Sequence, residues 1–522
     1  MKKILCLVMA VIMTTAMFSG CGEKKGANNA LYNPDIKIGD TGGLEMPLSE
    51  TAEELSWLVT STVDGLNDSY VIKKIREITG VNLQVEAVSP SGATEKYNTL
   101  VAAKTLPDIS APASAQLAED LCMQGAYAAV EDYMDYVPNF KKTFVDDPEK
   151  DWVFKSYASA DGKLYGYYGW DWNRDINTGV AMYRKDIFDK NNIEMWDSPE
   201  GLYNALKKLK EIYPDSIPMI QKTGDATFNN FAKMWGLVAH NPYYNEEDKQ
   251  WYFTDTTDEY REVLDFMKKL VDEGLLDQEF LTRTQADWTS IMTQPEKAFV
   301  TIDWIGRMSM FKEQSKETVP DFDLRFSNPI GPDQKYEEAN QLCWARYVAS
   351  TCKNIPLAFQ MLDFILSPAG KELITMGIEG ETFTIGEDGM ADYIEFPDTI
   401  PSINQLEEKY GMFIEQMYLS FDRRSSYFEF TEAEKEAQDY MKDESHVRPM
   451  DPILAFTAEE KEENTEIAAA LISAGKEFAT QYVLGGKNTD ADWNAWKEKA
   501  KSLGADKLIA NYTAAQNRFD AE

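Results

Sequence analysis

The sequence predicts an α/β fold of two lobes joined by a hinge, with a ligand cleft between them. Three observations point there. At 522 residues the chain exceeds what one core can bury, since single cores stop growing near about 300 residues. Residues 55–85 read as strand, polar loop, helix and strand, the opening of an α/β sheet whose ligand crevice lies beyond the carboxyl ends of its strands. Two separated stretches, 161–188 and 341–349, read as crossings between lobes, and hinge closure around a ligand is a recurrent switching device.

Taken in order, the chain starts Met1-Lys2-Lys3, runs apolar over residues 4–18 and ends that run at Ser19-Gly20-Cys21. A basic start, a short apolar run and small residues at the cut make an export signal, shorter than the roughly 20 residues of a membrane span. The Phe18-Ser19-Gly20-Cys21 ending resembles the bacterial lipobox, with Phe18 where an aliphatic is usual. That resemblance implies that Cys21 becomes the lipidated N-terminus and that the protein sits on the cell membrane's outer face without crossing it. Residues 22–50 are rich in Gly, Asn, Pro and charge, with no apolar period. They read as a flexible tether reaching about 30 Å.

Leu55, Trp57 and Val59 alternate as a strand, and residues 60–67 form a polar loop on the candidate cleft wall. Tyr70, Ile72, Ile75 and Ile78 have helical spacing up to Gly80, and Val81, Leu83 and Val85 alternate again. Leu106-Pro107-Asp108-Ile109 is a further short strand. Downstream helices open at Ser198-Pro199, at Asp258 and at Ser367-Pro368, each followed by an apolar stripe that reads as core. Residues 297–304 run from strand into turn, and residues 341–349 form a strand with Trp344 and Arg346 on one face. Residues 458–522 are helical and acidic, with Trp493 and Trp496 on one stripe.

The densest aromatic cluster is residues 161–172, where Tyr168, Trp170 and Trp172 would share one face of an extended strand. Plain core is one reading. The interleaved Asp171, Asn173, Arg174 and Asp175 favour another, because a sugar ring has an apolar face and a polar rim.

Composition bounds the chemistry. The chain is 43% hydrophobic and 27% charged, as a globular protein is, with a formal charge of −36 that disfavours nucleic acid. Outside the signal and Cys21, the cysteines are Cys122, Cys343 and Cys352, an odd set without CxxC spacing, so buried thiols are expected, with a Cys343–Cys352 bridge left open. Only His240 and His446 are present, and no HExxH, GxSxG, P-loop or GxGxxG pattern occurs. No catalytic residues, metal or cofactor are therefore assigned, although a carboxylate pair of a polysaccharide-degrading enzyme has no fixed spacing to test.

Several segments together resemble the lipoprotein solute-binding proteins of bacterial ABC importers, extracellular solute-binding protein family 1, in its long subgroup. They are Leu106-Pro107-Asp108, Gly162-Lys163-Leu164-Tyr165-Gly166, Tyr183-Arg184-Lys185-Asp186, Asp272-Glu273-Gly274-Leu275-Leu276-Asp277, Gly377-Ile378-Glu379-Gly380-Glu381 and Asp492-Trp493. The resemblance implies a periplasmic-binding-protein-like fold, a monomer that captures an oligosaccharide and hands it to a permease pair. A calcium loop common in that subgroup has no counterpart at residues 212–218, which lack its series of oxygen ligands. A peptide receptor is the alternative. The expected ligand contacts are Tyr168, Trp170, Asp171, Trp172, Asn173, Trp235, Asp303, Trp304, Trp344 and Arg346. The expected division is a signal peptide at 1–20, the tether at 21–50, lobe 1 at 51–165 and 341–425, lobe 2 at 166–340, and a helical part at 426–522 packing mainly on lobe 2.

Overall fold

A computed structural model describes residues 29–170, 179–222, 224–338, 340–397 and 399–521. Asp171, Trp172 and Asn173 of the expected site, and Cys21, lie outside the described residues.

The first lobe is built on β1 (Glu54–Thr60), α1 (Tyr70–Thr79), β2 (Asn82–Val88), α2 (Ala93–Ala103), β3 (Ile109–Ser110) and α3 (Ala115–Met123). β1 pairs in parallel with β2 from Glu54↔Asn82 to Thr60↔Val88, and with β3 at Trp57↔Ile109. The strand Tyr347–Val348 closes the other edge, antiparallel to β3. Both faces of this sheet are covered, so β1 buries both of its side-chain sets. Leu55, Trp57 and Val59 enter the main core, while Leu58 packs with Tyr97, Leu121 and Tyr127 on the opposite face. Ser69 caps α1 by accepting from the Ile72 N–H, and Gly80 ends it in the left-handed region at φ 69°.

The second lobe centres on β4 (Val180–Arg184), flanked antiparallel by Val300–Asp303 and Leu324–Phe326. Met219 extends this sheet through parallel bridges to Val300 and Leu276. The buried Arg184 guanidinium grips Asp186 at 2.6 and 2.8 Å and lies over the Phe322 ring, which gives the Tyr183-Arg184-Lys185-Asp186 segment its scaffold role. The expected helices are Pro199–Ile212, capped by Ser198, Asp258–Asp272 and Pro368–Thr375. The C-terminal helices Ala458–Val483, Asp490–Ser502 and Ala505–Ala521 send Leu471, Trp493, Trp496 and Leu508 into this lobe's core.

One core draws on residues from Leu44 to Tyr168 and from Leu342 to Phe428; the other draws on residues from Val180 to Tyr336 and from Ala437 to Leu508. The chain therefore passes between cores three times, the third near Tyr427 and Phe430, which pack against both. The first two passes lie side by side. Tyr167 bridges Arg346 and Trp170 bridges Leu342, both antiparallel, with residues 168–169 on one strand facing 343–345 on the other. That mismatch is a bulge, and it breaks the regular alternation expected for residues 341–349. Gly169 is required here, since a Cβ would stand 1.7 Å from the Leu419 carbonyl oxygen.

The expected tether is corrected over residues 29–50. Leu44 is buried, and Ile36, Ile38, Met46 and Leu48 pack on the first core. Asn29 Nδ2 donates to the Ser49 and Gly80 carbonyls at 2.7 and 2.8 Å, and Ala369 N–H donates to the Asp40 carbonyl at 2.9 Å. This strap has no period of its own because its partners lie far along the chain. Cys122, Cys343 and Cys352 are free, buried thiols.

The base of the first pass rests on Asp363, in the helix Ile355–Leu366. Its carboxylate accepts from the Tyr167 hydroxyl at 2.7 Å, the Phe140 N–H at 2.9 Å and the Asn139 Nδ2 and N–H at 2.8 and 3.0 Å. Burial raises the pKa of this acid, and the bonds it accepts oppose the rise. Asp363→Ala leaves the Tyr167 hydroxyl and the Phe140 and Asn139 N–H groups buried without this acceptor, while Asn139 Nδ2 keeps the Thr41 carbonyl. It is expected to cost about 3 kcal/mol or more in the first urea unfolding transition, with Asp363→Asn costing less.

Candidate functional site

A cavity of about 830 Å³ opens between the two lobes. Thr60 at the end of β1, Ala111 just beyond β3 and the first residues of α2 line it, as the carboxyl ends of an α/β sheet should. The facing wall comes from Gly179, Lys233, Met234, Tyr336, Glu337 and Glu338. The hinge passes form its floor through Tyr168, Leu342 and the residues of the bulge.

The bulge decides which aromatic rings face the cavity. Trp344 lies on the wall and is 65% exposed. Tyr347 reaches the same cavity, although regular alternation would put it on the face opposite Trp344. Tyr168 is on the wall, its ring 4.9 Å from that of Tyr157. Burial, then the neighbouring Tyr347 and Tyr157 phenols, hold the Tyr168 pKa well above the usual phenol value. The cluster therefore offers neutral hydroxyls, which can both donate and accept. Asn340 stands beside the Tyr157 hydroxyl and adds an amide to the same wall.

Other expected contacts are corrected. Trp170 does not line the cavity: past the bulge its ring packs between Phe144 and Trp152, 6.1 and 6.3 Å away, with the Lys150 ammonium 4.9 Å above it. Trp235 packs on Phe266 at 5.6 Å and belongs to the second lobe's core. Arg346 is 1% exposed and serves as scaffold, donating to the Trp344 carbonyl at 2.8 Å and the Tyr418 carbonyl at 2.9 Å. Asp303 pairs across from Val180, next to the cavity-lining Gly179, so Asp303 and Trp304 stand at the cavity end of the second sheet without lining the cavity. Asp303 is held by Lys222 and Arg307, each 2.9 Å away, whereas Trp304 is 42% exposed.

Sequence reading missed Tyr157, Asn340, Tyr347 and the three wall glutamates Glu337, Glu338 and Glu415. Only Tyr347 carried a signal, through its place in the second crossing. Lys461 of the helix Ala458–Val483 meets Glu119 of α3 at 2.9 Å, an ion pair from one lobe to the other.

Asp451, next to the lining residue Met450, is pushed up to about 7 by burial and then by Glu337 and Glu246, against the Tyr244 N–H and Arg448. A carboxyl whose folded pKa is raised takes up a proton on folding. Its contribution is full below the ordinary value of 3.8 and is lost as pH rises through about 7. Stability should therefore fall across that window by up to about 3 kcal/mol, and Asp451→Asn should flatten the slope of melting temperature against pH.

A family model described as bacterial extracellular solute-binding protein matches residues 71–377. The chain is 24% identical over 430 residues to the fructooligosaccharide ABC transporter substrate-binding protein FusA of Streptococcus pneumoniae, covering 76% of this chain and 74% of that one. It is 21% identical to the polygalacturonan/rhamnogalacturonan-binding protein YtcQ of Bacillus subtilis, over 98% and 97% of the two chains. Its fold superposes with TM-score 0.71 on an HMO-binding, ABC-transporter-associated solute-binding protein from Bifidobacterium longum infantis, at 16% identity, covering 90% of this chain and 98% of that one. With a two-lobed fold, a cavity between the lobes and a family match over more than half its length, the chain belongs to the bacterial extracellular solute-binding proteins.

Proposed function

We propose that this protein is the lipid-anchored solute-binding component of an ABC importer, capturing an oligosaccharide between its lobes and delivering it to the permease. The observation that carries the reading is the cavity of about 830 Å³ with the exposed Trp344 on its wall and tyrosine hydroxyls and Asn340 around it. A sugar offers the matching surface, an apolar ring face rimmed by hydroxyls. Relatives named for fructooligosaccharide and for polygalacturonan and rhamnogalacturonan support the ligand class. We assign the lobes as the two cores divide the chain, residues 29–168 and 342–428 to one and 180–336 with 437–508 to the other, which adds the strap to the first lobe and moves the expected boundaries at 165 and 425 a few residues onward. Tyr168 and Trp344 keep their assigned contact role, Tyr157, Tyr347 and Asn340 join them, and Trp304 meets the part of a longer ligand that extends past the cavity.

Titration calorimetry over a panel of fructan, xylan, mannan and galactan oligosaccharides tests this. One series should bind, and Trp344→Ala should weaken it about tenfold or more. Equal affinity in that variant removes Trp344 from the site. For the anchor, Cys21→Ser should move the protein from the membrane fraction to the soluble fraction of its host cell; retention on the membrane overturns lipidation at Cys21.

A further inference from the structure

We infer that Lys461 and Phe519 of the second lobe, with Glu119 and Lys155 of the first, form a latch that holds the two lobes together and slows the opening of the cleft. The inference goes beyond the oligosaccharide reading, because the latch acts whatever the ligand is.

Two contacts between the lobes make it. Lys461 Nζ, near the start of the helix Ala458–Val483, lies 2.9 Å from Glu119 Oε1 of α3. The Lys155 ammonium, in the helix Trp152–Tyr157, lies 5.9 Å from the centre of the Phe519 ring, near the end of the helix Ala505–Ala521. Both lobes brace their pair of contact points. In the first, Glu119 Oε1 also accepts from the Ala160 N–H at 2.8 Å, just past the helix that carries Lys155. In the second, Arg518, next to Phe519, donates to Glu460, next to Lys461, at 3.0 Å. The two points on each lobe therefore move as one, and two joined contacts resist rotation as well as separation.

The side chains of Lys461 and Glu119 are 24% and 15% exposed, so solvent and salt screen this pair less than one in open water. The first lobe's contact elements are also cavity wall. Ala115 and Ala118 of α3 line the cavity, Ala118 directly before Glu119, and so does Tyr157, two residues after Lys155. Moving this wall away from the second lobe parts Glu119 from Lys461. An ion pair made in one arrangement of the lobes and lost in another biases the equilibrium between them, and with it the release of whatever the cleft holds.

The test is small-angle X-ray scattering of the ligand-free protein and of Lys461→Met, Glu119→Gln and the double variant. Methionine keeps most of the lysine stem, and glutamine keeps an acceptor for the Ala160 N–H. Each single variant should raise the radius of gyration, and the double variant should raise it no further, because either change alone breaks the pair. A radius unchanged in both single variants, or a double variant that shifts by the sum of the two, overturns the inference and leaves the oligosaccharide reading standing, since no ligand is present. With a sugar that binds, stopped-flow release should be about threefold faster in each single variant, and release at the unaltered rate in both overturns the latch. Binding of no sugar overturns the oligosaccharide reading, and the scattering alone then decides the latch.

Discussion

The structure depends on two strands lying side by side where the chain passes between lobes. Residues 167–170 and 342–346 are hydrogen-bonded antiparallel with unequal lengths between their bridges, so the pair is short and bulged, and it is fixed in place at its ends. What fixes it is polar and buried. Asp363 holds the Tyr167 hydroxyl, and Arg346 holds the carbonyls of its own strand and of Tyr418. A buried charge of either sign is costly without partners, and here each has several. The backbone between them is pressed against Leu419 at Gly169, where no side chain fits.

The bulge also sorts the side chains. Without it, Tyr168 and Trp170 would share a face and Trp344 and Tyr347 would not. With it, Trp170 turns into the aromatic group of Phe144 and Trp152, while Tyr168, Trp344 and Tyr347 meet at the cavity. The hinge and the ligand wall are therefore one object. On the proposed contact, a ligand stacked on Trp344 would touch the same strands that carry the lobes, which would give it a direct means of biasing their closure.

The sequence makes the larger architecture legible and the contacts much less so. Regular elements announce themselves: the alternation of Leu55, Trp57 and Val59, the Ser69 cap and Gly80 stop, and Ser198-Pro199 all depend on neighbours within a few residues. The crossings were visible as aromatic and mixed-polarity stretches. Which ring faces the ligand was not, because it turns on one unmatched residue in a strand pair separated by roughly 175 positions, and a one-residue slip reverses every face. Arg346 reads as a ligand contact because regular alternation puts it on one face with Trp344; its partners include carbonyls of a loop some 70 residues on. Tyr157 and Glu415 lie in stretches with no pattern, and only tertiary folding brings them to the cavity.

The strap of residues 29–50 shows the same limit with a different consequence. Read by composition it cannot fold alone, and it does not: it borrows partners from α1, from Asn139 and from Ala369. A segment that packs in this way shortens the leash. On the proposed anchoring, Cys21 and Asn29 are eight residues apart, a distance of at most about 28 Å even fully extended. A tether running to residue 50 would instead have let the body swing freely in any orientation. The strap enters at Asn29 beside Ser49 and Gly80, at the end of α1 opposite the carboxyl ends of the sheet. The first lobe then has a fixed point of attachment away from its ligand wall, so that tying the protein down leaves the cleft open to arriving solute.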